Sequence, residues 1–592
     1  MKYSMQFGTV TRPAPKGAVG GTKFRLAVLG DFSGRANSGQ LATGAELAKR
    51  KPLRVDVDNL DDVLRKLNIK LQLPVGAEGG MVQVPIGSMD DFHPDQLYDN
   101  LEIFSHLSSL RKRLNTTSMF AKAAQEMQSW PAVGADKPAL AAPTARGSSV
   151  PVGGKLSDFA RLVGKSTTES AQTPVDALLK QIIGPHIVPT KDPKQPALVQ
   201  VVDEALSETM CSVLHHPDFQ TLEATWRGVD LLTRRLETSD TLEIVLYDIT
   251  AEELAADLSQ TASLEETGLY KLLVEQPALD AQQGALSVLV GNYQFEQTPP
   301  HAELLGRMAK IAAAAQAPFI ASIGTECLKK VAAADVHPLI QESWSALRAL
   351  PEAAYLGLAV PRFMLRNPYG DRTESIDKFE FEEFSPQRGI RGMLWGNPAI
   401  LAGLLLGQTF QKQGMKKMNL GSVLGVGDMP YYFYEDADGD QTALPCTERL
   451  VTVSVAEWLT YQRFIPLLAI KGRNEVRLGG FQSLAGKTLA GPWGVVAVPL
   501  DTAKPVAKAP QPAATGAEAA ASANAELDAL LGNLDAAAPA PAAPAAAPAE
   551  APPASADAEL DALLASLGTD QPAEAAGSTE MDAGLAALLA DL

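Results

Sequence analysis

The chain has 592 residues, a formal net charge of −18, and 46% hydrophobic, 20% charged and 6% aromatic residues. So acidic a balance offers no basic face to a nucleic-acid backbone or an anionic membrane, and excludes both kinds of non-specific binder. Cys211, Cys327 and Cys446 stand too far apart for a disulfide framework or a zinc knuckle, which suits a reducing cytoplasm.

The opening residues show no basic stretch leading into an apolar core. The longest apolar run, Ala399 to Leu406, is less than half of the roughly 20 residues a spanning helix needs. A soluble cytoplasmic protein without membrane insertion is expected.

Residues 1–129 read as one α/β domain. Lys23–Leu29 is a strand with a buried centre, closed by Gly30-Asp31. Arg54–Val57, Ile69–Leu73 and Met81–Ile86 are shorter alternating strands around a helix over Asn59–Leu67. Asp91–Leu114 reads as one amphipathic helix whose basic end, Arg111-Lys112-Arg113, suits the negative end of the helix dipole. Residues 130–196 form an Ala/Pro/Gly/Ser-rich linker with one short helix, Val175–Ile183.

The largest block, 197–495, alternates helices with strands, the pattern of an α/β fold. Its helices are Leu198–Leu214, Phe219–Leu236, His301–Gln316 and Pro398–Gln413. Its strands are Leu242–Tyr247, Leu286–Gly291, Phe319–Ser322, Tyr355–Leu358 and Arg449–Val455. Phe219 and Trp226 read as core residues, Arg362 or Arg366 as internally paired, and Asn397 as a helix cap ahead of Pro398.

From residue 496 the chain is an Ala/Pro-rich tract too poor in large apolar side chains to bury a core, so a disordered tail is expected. Three related blocks interrupt it, at 525–534, 558–567 and 581–592, each with leucines at helical spacing and acidic residues near its start. Leu527, Leu530 and Leu531 would share one helix face, as would Leu560, Leu563 and Leu564, and Leu585, Leu588 and Leu589. Such faces fit short helices that dock into a partner's groove. Val175, Leu178 and Leu179 look like a fourth copy.

No motif supports an enzyme. Gly480–Thr488 ends like a phosphate loop but has five residues between its glycines where four are needed. Asp436–Asp440 starts like a calcium loop, yet Gln441 and Thr447 stand where Gly and Glu belong. His215-His216 lacks a further ligand at metal spacing and reads as a C-terminal helix cap. Gly421–Gly427 is too loose for a dinucleotide fingerprint. No catalytic, cofactor or metal residues are therefore expected.

Longer motifs are more specific. LAVLGDFSGR (Leu26–Arg35), RKPLRVDVDNLDDVL (Arg50–Leu64) and MDDFHPDQLYDN (Met89–Asn100) resemble the small subunit of the bacterial type VI secretion contractile sheath. LHHPDFQTLEATWRGVDLL (Leu214–Leu232), LVGNYQF (Leu289–Phe295), GLAVPRFMLRNPYG (Gly357–Gly370), FEFEEF (Phe379–Phe384), LWGNPA (Leu394–Ala399) and RFIPLLAIKGRNEVRLGGFQS (Arg463–Ser483) resemble its large subunit, in family order.

The resemblance implies a fusion of two sheath-subunit-like α/β units, with other sheath protomers, an inner-tube protein, a baseplate and a ClpV-type AAA+ ATPase as partners. It also implies large-subunit linking strands beyond Phe481-Gln482-Ser483, where this chain turns instead to its Ala/Pro tract. The alternative expectation is a non-polymerising, sheath-like adaptor that recruits partners through its tail.

Overall fold

Every residue of the strand Phe24–Gly30 is buried, which requires a sheet covered on both faces. The computed structural model describes residues 5–10, 23–76, 80–128, 146–151, 178–179, 182–183, 195–280, 284–329, 336–386, 389–435, 440–470 and 472–494. In chain order the strands are β1 (Phe24–Gly30), β2 (Leu53–Val55), β3 (Ile69–Val75), β4 (Gly80–Ile86), β5 (Leu242–Asp248), β6 (Val288–Phe295), β7 (Phe319–Ile323) and β8 (Leu356–Val360). They continue as β9 (Phe363–Arg366), β10 (Leu394–Gly396), β11 (Gly425–Val426), β12 (Tyr432–Glu435), β13 (Gln441–Leu444), β14 (Ile465–Ala469) and β15 (Val476–Leu478).

Nine of them form one sheet in the order β11-β15-β14-β8-β7-β6-β1-β5-β2. The run from β14 to β5 is parallel, and β2, β15 and β11 close the edges antiparallel. The α/β class expected from the alternating pattern is what forms. The strand closest to the N-terminus lies inside this sheet, with Leu26 opposite Ile244 on one side and Val288 on the other. Residues 1–129 and 197–495 thus contribute strands to a single sheet.

Side chains of β1 alternate between two cores, as a period of two requires. Phe24, Leu26 and Val28 join Ile244, Leu246, Val290, Trp226 and Leu401 on one face. Ala27 and Leu29 join Val245, Tyr247, Leu289, Leu254 and Leu305 on the other. The helices Pro217–Arg235 and Pro398–Gln413 cover the first face, and Ala251–Ser259 and Pro299–Ala315 cover the second.

Trp226 and Phe219 are fully buried, and the Trp226 indole donates to the Phe32 carbonyl at 3.0 Å. Phe92 meets Phe219 edge-on at 5.7 Å, and Phe24 stacks on Phe410 at 5.0 Å, so aromatic contacts also cross between the two regions. The Asn397 side chain accepts from the Ala399 amide at 2.9 Å, capping the helix that Pro398 opens.

Three local expectations are corrected. The segment expected as one helix, Asp91–Leu114, is a 3₁₀ turn Met89–Phe92 followed by helices Pro94–Asn100 and Glu102–Asn115. His93 and Leu101 take extended backbone angles, and the His93 ring accepts from the Asp95 amide, so each new turn starts at its own cap. The expected strand Arg449–Val455 gives way to a helix, Val453–Tyr461. The Thr452 hydroxyl accepts from the Val455 amide and starts it, and Leu459 buries its inner face, which outweighs the β-branched composition. His216 caps the start of the following helix rather than the end of the preceding one: its Nδ1 accepts from the Asp218 amide at 3.2 Å. That bond needs a neutral ring, and burial lowers the His216 pKa.

Candidate functional site: the seam between the two regions

The helix Ala251–Ser259 carries Glu253 and Asp257 one turn apart, so both carboxylates face the same neighbour. That neighbour is the loop after β1. Glu253 accepts from the Ala42 amide at 2.8 Å and from Arg50, and Asp257 accepts from the Gly44 amide at 2.6 Å. Glu253 also closes a capping box with Thr250. Burial raises the Asp257 pKa, against the bonds it receives from the Gly44, Leu269 and Gly268 amides. Sequence reading passed over both carboxylates; the signal was a pair of acids at i and i+4, Glu253 and Asp257, on the face of an Ala/Leu-rich helix.

At the end of β1, Asp31 accepts from the Arg35 amide at 3.0 Å and the Ala36 amide at 3.1 Å. Asp248, at the end of β5, accepts from the Phe32 and Ser33 amides at 2.9 and 3.2 Å. Burial, reinforced by the Asp248 carboxylate, pushes Asp31 up to about 8 despite those amides. Arg35 answers this acidity at 3.6 Å from Asp248 and 3.4 Å from Glu253.

The chain crosses from β5 over β1 to β6, which makes the carboxyl ends of β1 and β6 the switch point of the parallel sheet. In open α/β sheets ligands bind in that crevice. Here the crevice holds Arg146–Pro151, a piece of the stretch between the two regions. Val150 donates to the Gln294 carbonyl at 3.1 Å, and Gln294 donates back to the Ser148 carbonyl at 2.8 Å. A cavity of about 240 Å³ opens beside it, lined by Ser148, Thr221, Thr225, Asn292, Gln294 and Asn397 among others.

A second charge cluster lies within the later region. Arg366, buried, reaches Glu223 and Glu383 at 2.7 Å each and lies 4.1 Å over the Tyr369 ring. His215 Nε2 lies 3.3 Å from Glu383. Burial alone would raise the Glu383 carboxyl; Arg366 and His215 outweigh it and hold it down at about 2. Arg362 pairs with Glu448 at 2.6 Å, so both arginines of this stretch are paired internally.

Leu178 and Leu179 are buried, helical, and packed in the same core as Ile182 and Ile183. Val175 lies outside the described residues, as do the leucines of the three tail blocks at 525–534, 558–567 and 581–592. The acidic run Asp436–Gly439 does too. The loop ending in Gly486-Lys487-Thr488 is a tight turn: Ser483 and Lys487 share a 2.8 Å backbone bond, and Gln482 bridges Thr488. Among the described residues no group of three or more His, Cys, Asp or Glu is placed to hold a metal ion. Among them, too, no helix is long and apolar enough to cross a membrane.

Residues 22–129 match the type VI secretion system VipA family, and residues 196–485 match the tail sheath N-terminal domain of the VipB (EvpB) family. The type VI secretion system sheath protein TssC1 of Pseudomonas aeruginosa is 30% identical over 302 residues, which are 49% of this chain and 61% of that protein. The chain therefore spans about three fifths of the length of this relative. The stretches that match are those that share the sheet, one supplying β1 and β2 and the other the remaining seven strands. On one polypeptide the chain thus carries a region that matches the small-subunit family and a region that matches the large-subunit family of the type VI secretion sheath.

Proposed function

We propose that this chain is a fused protomer of a type VI secretion contractile sheath, acting mechanically in the cytoplasm to help propel an inner tube. The observation that carries the reading is β1: a strand of the small-subunit region sits between two strands of the large-subunit region, so the fusion supplies both partners of one wall unit at fixed stoichiometry. Its partners in this reading are other sheath protomers, the inner-tube protein and the baseplate. Nothing in the reading calls for catalysis by the chain itself.

A second reading is favoured by the repeated leucine blocks of the tail. In it the chain is a sheath-like adaptor that recruits a partner, such as an AAA+ unfoldase, through Leu527, Leu560, Leu585 and their neighbours. Linked copies would raise avidity without any new contact. A fluorescent fusion of the chain, expressed in its own cells, separates the two. Elongated structures that shorten abruptly support the sheath protomer, and diffuse signal or static foci contradict it. Loss of unfoldase capture on deleting residues 520–592 supports the adaptor, and unchanged capture contradicts it.

A further inference from the structure

We propose that the crevice at the carboxyl ends of β1 and β6 is a peptide-binding site, and that Arg146–Pro151 is its resident, displaceable ligand. The class of ligand is an extended segment of the form Arg-Gly-Ser-Ser-Val-Pro.

The segment is held as peptide-binding grooves hold peptides, by its main chain. The Arg146 amide donates to Asp218 Oδ1 at 3.0 Å, and the Gly147 amide donates to Glu252 Oε1 at 3.0 Å. The Gly147 carbonyl accepts from the Ala251 amide at 2.8 Å. Ser148 and Val150 exchange their pair of bonds with Gln294, continuing the edge of β6 for two residues without entering the sheet. The Pro151 carbonyl lies 3.0 Å from His301 Nε2. His301 Nδ1 accepts from the Glu296 amide, so Nε2 carries the proton and donates to Pro151.

Side chains add selectivity. Gly147 has φ +84°, and a Cβ there would sit 2.5 Å from Asp31 Oδ2, so only glycine fits. Val150 is buried in the core that contains Tyr293 and Phe295. Arg146 lies 3.9 Å from Asp218 with half of its side chain exposed, which makes it the weakest of these determinants.

Two features are left open next to the segment. Among the described residues Glu252 Oε2 is buried without a hydrogen-bond partner, and the cavity of about 240 Å³ adjoins Ser148 and Gln294. A groove built only to bury this one linker would leave neither. Both suit a peptide that carries a further donor or a larger side chain at the position of Ser148.

The test places one protease site in residues 131–145 and a second in 152–165 of the full chain, so that cleavage turns the segment into a separate peptide. A labelled peptide spanning residues 144–153 is then added in excess. The expected result is exchange: the labelled peptide co-elutes with the cut protein, and unlabelled peptide displaces it. The same peptide with Gly147→Val binds at least 100-fold more weakly, and with Arg146→Ala less than tenfold more weakly. Because the substitutions are in the peptide, folding of the protein is not at issue. Failure of the wild-type peptide to exchange, equal binding of the Gly147→Val peptide, or aggregation of the protein once the segment leaves would each overturn the proposal.

Discussion

The clusters around Arg366 and Asp31 are both buried and both rich in carboxylates, yet they neutralise charge by different means. Around Arg366 one guanidinium lies between Glu223 and Glu383, with Arg227 on Glu223 and His215 on Glu383, all within the large-subunit region. Around Asp31 and Asp248 the carboxylates are held largely by backbone amides, from Phe32 to Ala36, together with Arg35. The first arrangement is complete within one region. The second exists only while segments from both regions and the stretch between them stay in register, so the seam is where fusion of the regions has structural consequences.

The largest expected effect is at Arg366. Arg366→Met leaves Glu383 buried with His215 and the Tyr369 amide but without its guanidinium, and a cost of about 3–5 kcal/mol is expected in a denaturant titration. Adding Glu383→Gln to that variant should restore part of the loss; a further fall would mean the cluster is not held by charge pairing. Glu253→Gln at the seam keeps an acceptor for only one of the Ala42 and Thr250 amides, which bond to different carboxylate oxygens, and loses the charge that Arg50 and Arg35 face. The expected cost is about 1–3 kcal/mol, with hydrogen exchange speeding first at residues 42–50. Uniform acceleration across the sheet would erase the distinction between the clusters.

The two clusters also predict opposite pH slopes. Glu383 has its pKa lowered from 4.5 to about 2, so its stabilisation is full above about 4.5 and is lost as pH falls toward 2. Asp31 is raised from 3.8 to about 8, so the folded state holds its proton longer than the unfolded chain does, and stability falls as pH rises from about 4 to 8. The groups facing Asp31 are Asp248, Glu252, the amides of Arg35 and Ala36, and Gly147. Asp31→Asn should flatten the slope between pH 4 and 8 and leave the acid limb unchanged, as read from unfolding midpoints across pH. An unchanged slope would contradict the assignment. The smallest effect belongs to the exposed pair Arg65 and Asp62, where Arg65→Ala should shift stability by no more than about 0.5 kcal/mol.

Much of the scaffold was legible because hydrophobic periodicity is local. The strand at Phe24–Gly30 and the helices at Pro217–Arg235 and Pro398–Gln413 lie where pattern and caps place them. The misreadings came where a single cap decided the outcome. His93 and Leu101 divide an amphipathic run that is continuous on a helical wheel, and Thr452 starts a helix in a stretch rich in valine. The seam was not legible at all. Nothing near Arg146–Pro151 shows that a glycine there meets Asp31, because that contact joins residues more than a hundred positions apart. The insertion of β1 between β5 and β6 is a similarly long-range fact.

Negative-stain electron microscopy of the purified full chain, alone and with its cognate inner-tube protein, tests the central claim most directly. A fused sheath protomer predicts tubes or cogwheel rings, more abundant when the tube protein is present. Uniform small particles under both conditions would contradict it.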